Sequence, residues 1–222
     1  MRAQLSEDVA AYVRELIISG RVRPGDFLRT EPIAAAVGVS NTPVREGLLL
    51  LSGEGFVELV PRRGFVVADF SPQDVHDLFW AQAALGAELA TRAARNITDE
   101  QLAHLEELYT RHLAAMDRDA SSDAAIALGH EFHRAINLAG NSRRLAQMLG
   151  MIVKQLPNRF YNDIEGHVAD IWDSHPKILV ALRKRDAARA GELMRDHIMS
   201  GADEVIAMLR NQGIWDDSTP RA

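Results

Sequence analysis

The 222-residue chain contains no cysteine. Disulfides, thiolate nucleophiles and thiolate metal ligands are thereby excluded. No apolar run approaches the ~18 residues needed to cross a bilayer. The opening MRAQLSEDVAAYVRELIISG carries acids early and lacks a small-residue cleavage site, so it does not read as a signal peptide. A cytoplasmic location is the default expectation. Lysine is missing from the first 70 residues, whose positive charge is arginine alone. There the eight arginines and nine acids balance to 8 − 9 = −1, and the whole chain carries −6. No bulk basic field exists, so a nucleic-acid partner would have to be gripped by individually placed arginines. Beyond residue 72 strand signals are absent, and no fixed-period repeat or low-complexity tract interrupts the chain. Apolar content of 47% with 25% charged residues is that of a folded soluble protein, long enough for one large domain or two small ones.

What is present begins with helical periodicity. Leu5, Val9, Val13, Leu16 and Ile17 make one apolar face of a first helix, with Ser6 as its expected cap and an end near Gly20. Arg23-Pro24-Gly25-Asp26 is a type II turn signal, because glycine accepts the positive φ at its third position. A short helix fits 31–37, capped by Thr30 and stopped by Gly38. A tight Gly38-Val39-Ser40 turn leads into a third helix, capped by Ser40 or Thr42, with Pro43 in its first turn. Its core stripe is Val44, Leu48 and Leu51, while Asn41, Thr42 and Arg45 cluster at its polar N-terminal end. Two short β-branched runs, 56–60 and 65–68, flank Pro61-Arg62-Arg63-Gly64, which predicts a hairpin with two arginines at its tip. Helix, turn, helix and basic-tipped hairpin in that order predict a winged helix-turn-helix. In that fold the N-terminal end of the third helix enters the major groove.

RVRPGDFL followed by GVSNTPVREGLLLLSGEGFVELVPRRGFVV resembles the winged-helix domain of the GntR superfamily of bacterial transcription regulators, over about residues 5–68. The resemblance implies DNA contacts from Ser40, Asn41, Thr42, Arg45 and Gly64. With the groups that the pattern itself nominates, the expected DNA-binding set is Arg29, Ser40, Asn41, Thr42, Pro43, Arg45, Arg62, Arg63 and Gly64. Two departures stand out. Asn41 replaces a usual arginine, and Glu31 stands where a further arginine is expected. Both imply an operator unlike the commoner ones, with Arg29 substituting in part.

From 72 onward the chain reads as helix after helix. Ser71-Pro72 opens the first, Thr98-Asp99-Glu100-Gln101 fits a capping box, and apolar periodic runs fit 122–139, 142–162, 165–184 and 186–211. His133, His175 and His197 lie on apolar faces of three different runs. Facing helices can bring such imidazoles into one metal site, or they can be three separate core histidines. GHEFHRAINLAGN, SHPKILVALRKRD and LMRDHI resemble, in the right order, the FCD effector domain of the FadR branch of the same superfamily. The resemblance implies a divalent metal, Zn²⁺ or Ni²⁺, on His133, His175 and His197, and a small-molecule effector beside it. The family's aspartate ligand position is Gly129 here, with His130 a possible stand-in. Gln82 and Gly86 occupy places where the family often has arginine and glutamate, which favours a less acidic ligand. The expected effector contacts are Gln82, His130, His133, His175 and His197.

The fold expected is therefore mainly α: a winged helix-turn-helix over 1–69, an all-α antiparallel helical bundle over 70–214 and a tail over 215–222. The function expected is a homodimeric, ligand-responsive transcription regulator, repressor or activator, on a pseudo-palindromic operator, and not an enzyme. Two alternatives stay open. One is a metal-free regulator whose histidines hydrogen-bond the effector directly. The other is a three-His hydrolase, for which Glu131 is the nearest carboxylate in sequence to His133, on a helical position that points away.

Overall fold

The computed structural model describes residues 2–119, 122–156, 169–211 and 213–215, with backbone alone for 2, 3 and 169–173. Two compact units emerge: Met1–Asp74 joined by the chain from Ala207 onward, and Val75–Ile206. Among the described residues no helix is long and apolar enough to cross a membrane.

The first unit contains α1 (Arg2–Ile18), β1 (Phe27–Leu28), α2 (Thr30–Val37), α3 (Asn41–Gly53), β2 (Val57–Val60) and β3 (Gly64–Val67). Helix α1 starts at Arg2, five residues before the Glu7 start that a Ser6 cap implies. Ser6 lies inside it, buried, and its hydroxyl donates to Glu46 Oε2 of α3 at 2.7 Å. Leu5 stays exposed, while Val9, Val13 and Ile17 are buried as expected. Helices α1 and α3 approach so closely at Gly47 that a Cβ there would lie 2.8 Å from the Ser6 carbonyl oxygen and from Val9 Cγ1. Val44, Leu48 and Leu51 of α3 are fully buried, as the spacing predicts. The 23–26 turn forms, closed by the Asp26 N–H to the Arg23 carbonyl at 3.0 Å. Thr30 is the first residue of α2 and not its cap, a role that falls to Arg29 without a side-chain bond. The strands form one antiparallel sheet in the order β1-β3-β2. Strand β1 escapes prediction because two residues show no periodicity; pairing with Phe65 and Val66 of β3 creates it.

The second unit is built from α4 (Pro72–Asn96), α5 (Asp99–Asp119), α6 (Asp123–Ala139), α7 (Arg143–Val153), α8 (Ala169–Arg183) and α9 (Ala187–Asn211). Pro72 opens α4, and the capping box holds: the Thr98 N–H donates to Gln101 Oε1 at 3.0 Å and the Gln101 N–H to Thr98 Oγ1 at 3.2 Å. The helix within 142–162 ends at Val153. The remainder of that run beyond Leu156, and 165–168 of the next, fall outside the described residues, as do residues 216–222 of the expected tail. Phe132, Ile136, Ile178, Leu182, Ala190 and Met194 centre the core. The alanine-rich face of α4 lets α9 come close: a Cβ on Gly86 would meet Ile198 Cδ1 at 2.7 Å. No glutamate fits at Gly86 without a shift of that side chain.

Helix α9 runs to Asn211. Gly213 sits at φ 74, with the Gly213 N–H bonded to the Arg210 carbonyl and the Ile214 N–H to the Leu209 carbonyl. This Schellman pattern turns the chain. Trp215 then donates its indole N–H to the Phe70 carbonyl at 2.5 Å, and its ring lies 6.2 Å from that of Phe70, itself 5.4 Å from Phe56.

Candidate nucleic-acid interface and histidine centre

Polar groups at the start of α3 follow from the burial of its other face. With Val44, Leu48 and Leu51 inward, Asn41, Thr42 and Arg45 are left exposed, and Ser40 stands exposed at the N-cap. The expected cap bond is missing: the Ser40 side chain accepts no backbone N–H. Helix α3 thus carries no cap bond from its N-cap side chain, and first-turn N–H groups together with the positive end of the dipole favour an anion. Pro43 is buried, so its ring is not part of this surface; its fixed φ serves the first turn. The hairpin tip presents Arg62 and Arg63, both exposed, and Gly64 opens β3 at φ 106.

Two kinds of arginine coexist in this unit. Arg14 is 8% exposed, bonded to Glu54 Oε2 at 2.5 Å and laid over Phe56 with 5.8 Å to its centroid. It ties α1 to the end of α3 and is spent on the fold. Arg29, Arg45, Arg62 and Arg63 are exposed and form no ion pair with any described residue. Their charge is left for a partner, despite the net balance of the segment.

In the helical unit, α6, α8 and α9 bring His133, His175 and His197 together. Their candidate ligand nitrogens all lie within 4.8 Å of one another. His197 Nε2 is 3.1 Å from His133 Nε2 and 3.3 Å from His175 Nε2. The His133 and His197 rings stack with 11° between planes. Phe132 covers the His175 ring at 4.6 Å between centroids. Burial first, and then the neighbouring imidazoles, push the pKa values of His133 and His175 well below 6.5. Both rings are therefore neutral and keep a lone pair.

The donor set fits a metal ion. Tetrahedral zinc at about 2.0–2.1 Å from each nitrogen separates its ligands by about 3.3 Å. His197 Nδ1 is 2.9 Å from Ser174 Oγ. With the ring proton on Nδ1 and donated to that oxygen, Nε2 presents its lone pair to the other two rings. A proton on any one Nε2 could serve only one neighbour, whereas a cation serves all three. The set has one weak point: His175 Nδ1 is buried and finds no partner among the described residues.

The remaining expected contacts lie as follows. Gln82 is buried on α4 and Gly129 is buried on α6. His130 is half-buried, with its pKa lowered by burial, and is not one of the grouped ligands; its proximity helps to lower the pKa of His133. Glu131, the carboxylate nearest to His133 in sequence, is exposed. The sequence reading missed His112. It is fully buried on α5, 5.8 Å from His175 between ring centroids, and burial lowers its pKa. Its place in the stripe Leu105-Leu108-His112-Met116, all buried, was the available signal.

Residues 5–67 match the family described as bacterial regulatory proteins, gntR family, and residues 77–200 match the FCD domain. Over 215 residues the chain is 29% identical to the HTH-type transcriptional repressor GlaR of Escherichia coli strain K12, covering 88% of this chain and 93% of that one. To the Nta operon transcriptional regulator of Aminobacter aminovorans it is 26% identical, covering 88% and 91%. Among solved structures, E. coli McbR/YncC shares its fold, with a TM-score of 0.64 at 24% identity, over 96% of this chain and 98% of that one. Matching domains at both ends, with the winged unit and the helical unit in the expected order, identify a DNA-binding transcription regulator and not an enzyme: the chain belongs to the FCD-domain branch of the bacterial gntR family.

Proposed function

We propose that the helical unit senses a small molecule at the histidine centre and thereby sets how tightly the winged unit holds its operator. The observation that carries this is the convergence of three imidazoles from α6, α8 and α9, far apart in sequence, with their ligand nitrogens within 4.8 Å of one another and His175 fully buried. Buried polar groups are costly unless they are satisfied, and these are arranged to be satisfied by a ligand. His133, His175 and His197 would hold a divalent metal, Zn²⁺ or Ni²⁺, which when bound supplies an open coordination position for an effector atom. Gln82, His130 and His112 would orient the rest of that effector; His112 lies 5.8 Å from His175 between ring centroids. On the DNA side, Ser40, Asn41, Thr42 and Arg45 read the major groove, while Arg29, Arg62, Arg63 and the Gly64 backbone hold phosphate.

Two chains on a pseudo-palindromic operator would place two such helices one duplex turn apart. Helix α9 links the two activities: it carries His197, and beyond its end Trp215 is bonded to the segment between β3 and α4. An effector shifts operator affinity only by its preference between two arrangements, typically ~1–3 kcal/mol. The name of the GlaR relative as a repressor supports repression as the sign here. A metal-free sensor is the second reading, favoured by Gly129 in place of a carboxylate and by the unpartnered His175 Nδ1.

The test is metal analysis of the purified chain combined with duplex selection, with and without chelator. One metal per chain, and chelation that changes operator affinity or the thermal shift given by metabolites, support the proposal. A metal-free chain whose ligand response is indifferent to chelator leaves the second reading. A chain that prefers no duplex refutes the operator assignment.

A further inference from the structure

Strand β1 is two residues long and presents them to opposite sides. Leu28 is buried, while Phe27 is 44% exposed. An aromatic ring left open on an edge strand invites unwanted pairing, so its retention calls for a reason. The reason lies across the sheet. The Arg63 guanidinium carbon sits 4.8 Å from the centre of the Phe27 ring. The turn that carries Arg63 is itself constrained: the Arg63 N–H bonds to the Val60 carbonyl at 3.1 Å, with Pro61 and Arg62 in the central positions. Arg62 has φ 63, the left-handed region that type II turns reserve for glycine. Neither arginine forms an ion pair with a described residue.

We infer that Phe27 is a positioning residue of the wing. Its ring is a platform that holds the Arg63 guanidinium flat and outward for a phosphate of duplex DNA, beside an Arg62 that the left-handed turn throws forward. A cation over an aromatic face is attracted by the ring quadrupole, and a guanidinium already ordered loses less freedom when it meets its phosphate. The inference rests on the reading of the wing as a DNA contact.

The experiment uses the full chain and a duplex selected by the wild-type protein from a random pool. Affinities are measured at several salt concentrations for Phe27→Leu, Phe27→Tyr, Arg63→Gln and the double variant Phe27→Leu/Arg63→Gln. Phe27→Leu, which keeps an apolar residue on β1, is expected to weaken binding about two- to fivefold. It should leave the salt slope as it is, and Phe27→Tyr should bind as the wild type does. Arg63→Gln should lower the salt slope by about 0.9, the value of one phosphate contact. In the Arg63→Gln background Phe27→Leu should change nothing further. The inference is overturned if Phe27→Leu binds normally, or if it weakens binding equally with and without Arg63. If Arg63→Gln keeps the wild-type affinity and slope while Arg45→Ala loses the duplex, the wing is not on the DNA and Phe27 has nothing to position. A wild-type chain that selects no duplex overturns the parent reading as well.

Discussion

Helices α3 and α6 begin with the same residue type and use it in opposite ways. Ser122 accepts the Ala125 N–H at 3.3 Å and closes the start of α6. Ser40 stands at the same position of α3 and accepts nothing. The contrast extends to the charged groups. In the winged unit Arg29, Arg45, Arg62 and Arg63 are exposed and form no ion pair with a described residue. In the helical unit the grouped side chains are imidazoles, and burial holds the pKa values of His133 and His175 well below 6.5. One half of the molecule leaves its distinctive charged groups outside, and the other turns its distinctive polar groups inward. The same protein can therefore carry a net charge of −6 and still present a surface for a polyanion.

The largest effect that can break this comparison is collective. His112, His130, His133 and His175 all have pKa values below 6.5 in the folded chain, chiefly through burial. As the pH falls below that value the unfolded chain takes up protons that the folded chain does not. Stability is thus complete above pH 6.5 and is lost as the pH drops toward the folded values. Thermal unfolding of chelator-treated protein should show a falling midpoint from pH 7 to 5. An unchanged midpoint would mean that the histidines are not enclosed as described.

Ser174→Ala probes the inside at one atom. It removes the oxygen that faces His197 Nδ1 at 2.9 Å and touches none of the three grouped nitrogens. Outer partners of this kind are worth about 10–100-fold in metal affinity. Competition with a chelating dye would show the loss, and an unaltered affinity would separate Ser174 from the centre. Arg45→Ala probes the outside. Arg45 is exposed and pairs with no described residue, so the fold should be indifferent to its loss while operator binding weakens by ~1–3 kcal/mol. A normal footprint would remove it from the reading surface.

How much of this was legible in the chain differs between the halves, for a physical reason. The winged unit is assembled from near neighbours. Gly38, Pro43 and the Pro61–Gly64 turn announce their geometry locally, and the α3 stripe of Val44, Leu48 and Leu51 appears where its spacing puts it. What stayed hidden was pairwise. Strand β1 exists through β3, Ser6 serves Glu46 instead of capping a helix, and Phe27 matters only because Arg63 lies over it. The histidine centre is non-local throughout. His133 and His197 meet across 64 positions, a distance no periodicity encodes: the apolar helical faces nominated those three of the eight histidines but left open whether they meet, and the family resemblance implied that they form one ligand set. His112 shows the limit. A buried histidine in an apolar stripe was visible in the sequence, but its neighbour His175 was not.

The smallest effects test the opening contrast directly. Ser122→Ala should destabilise the chain by about 1 kcal/mol, the usual cost of losing an N-cap side chain. Ser40→Ala should change stability by less than about 0.5 kcal/mol, because no cap bond is there to lose. The order reverses for DNA. Ser122→Ala lies on a helix of the other unit and should leave operator affinity alone at a temperature where the chain is folded, whereas Ser40→Ala deletes a hydroxyl at the mouth of α3 and should weaken it. Paired urea titrations and anisotropy measurements on the two variants decide the matter. If Ser40→Ala costs as much stability as Ser122→Ala, the serine is a structural cap after all, and the start of α3 loses its claim to be held open for phosphate.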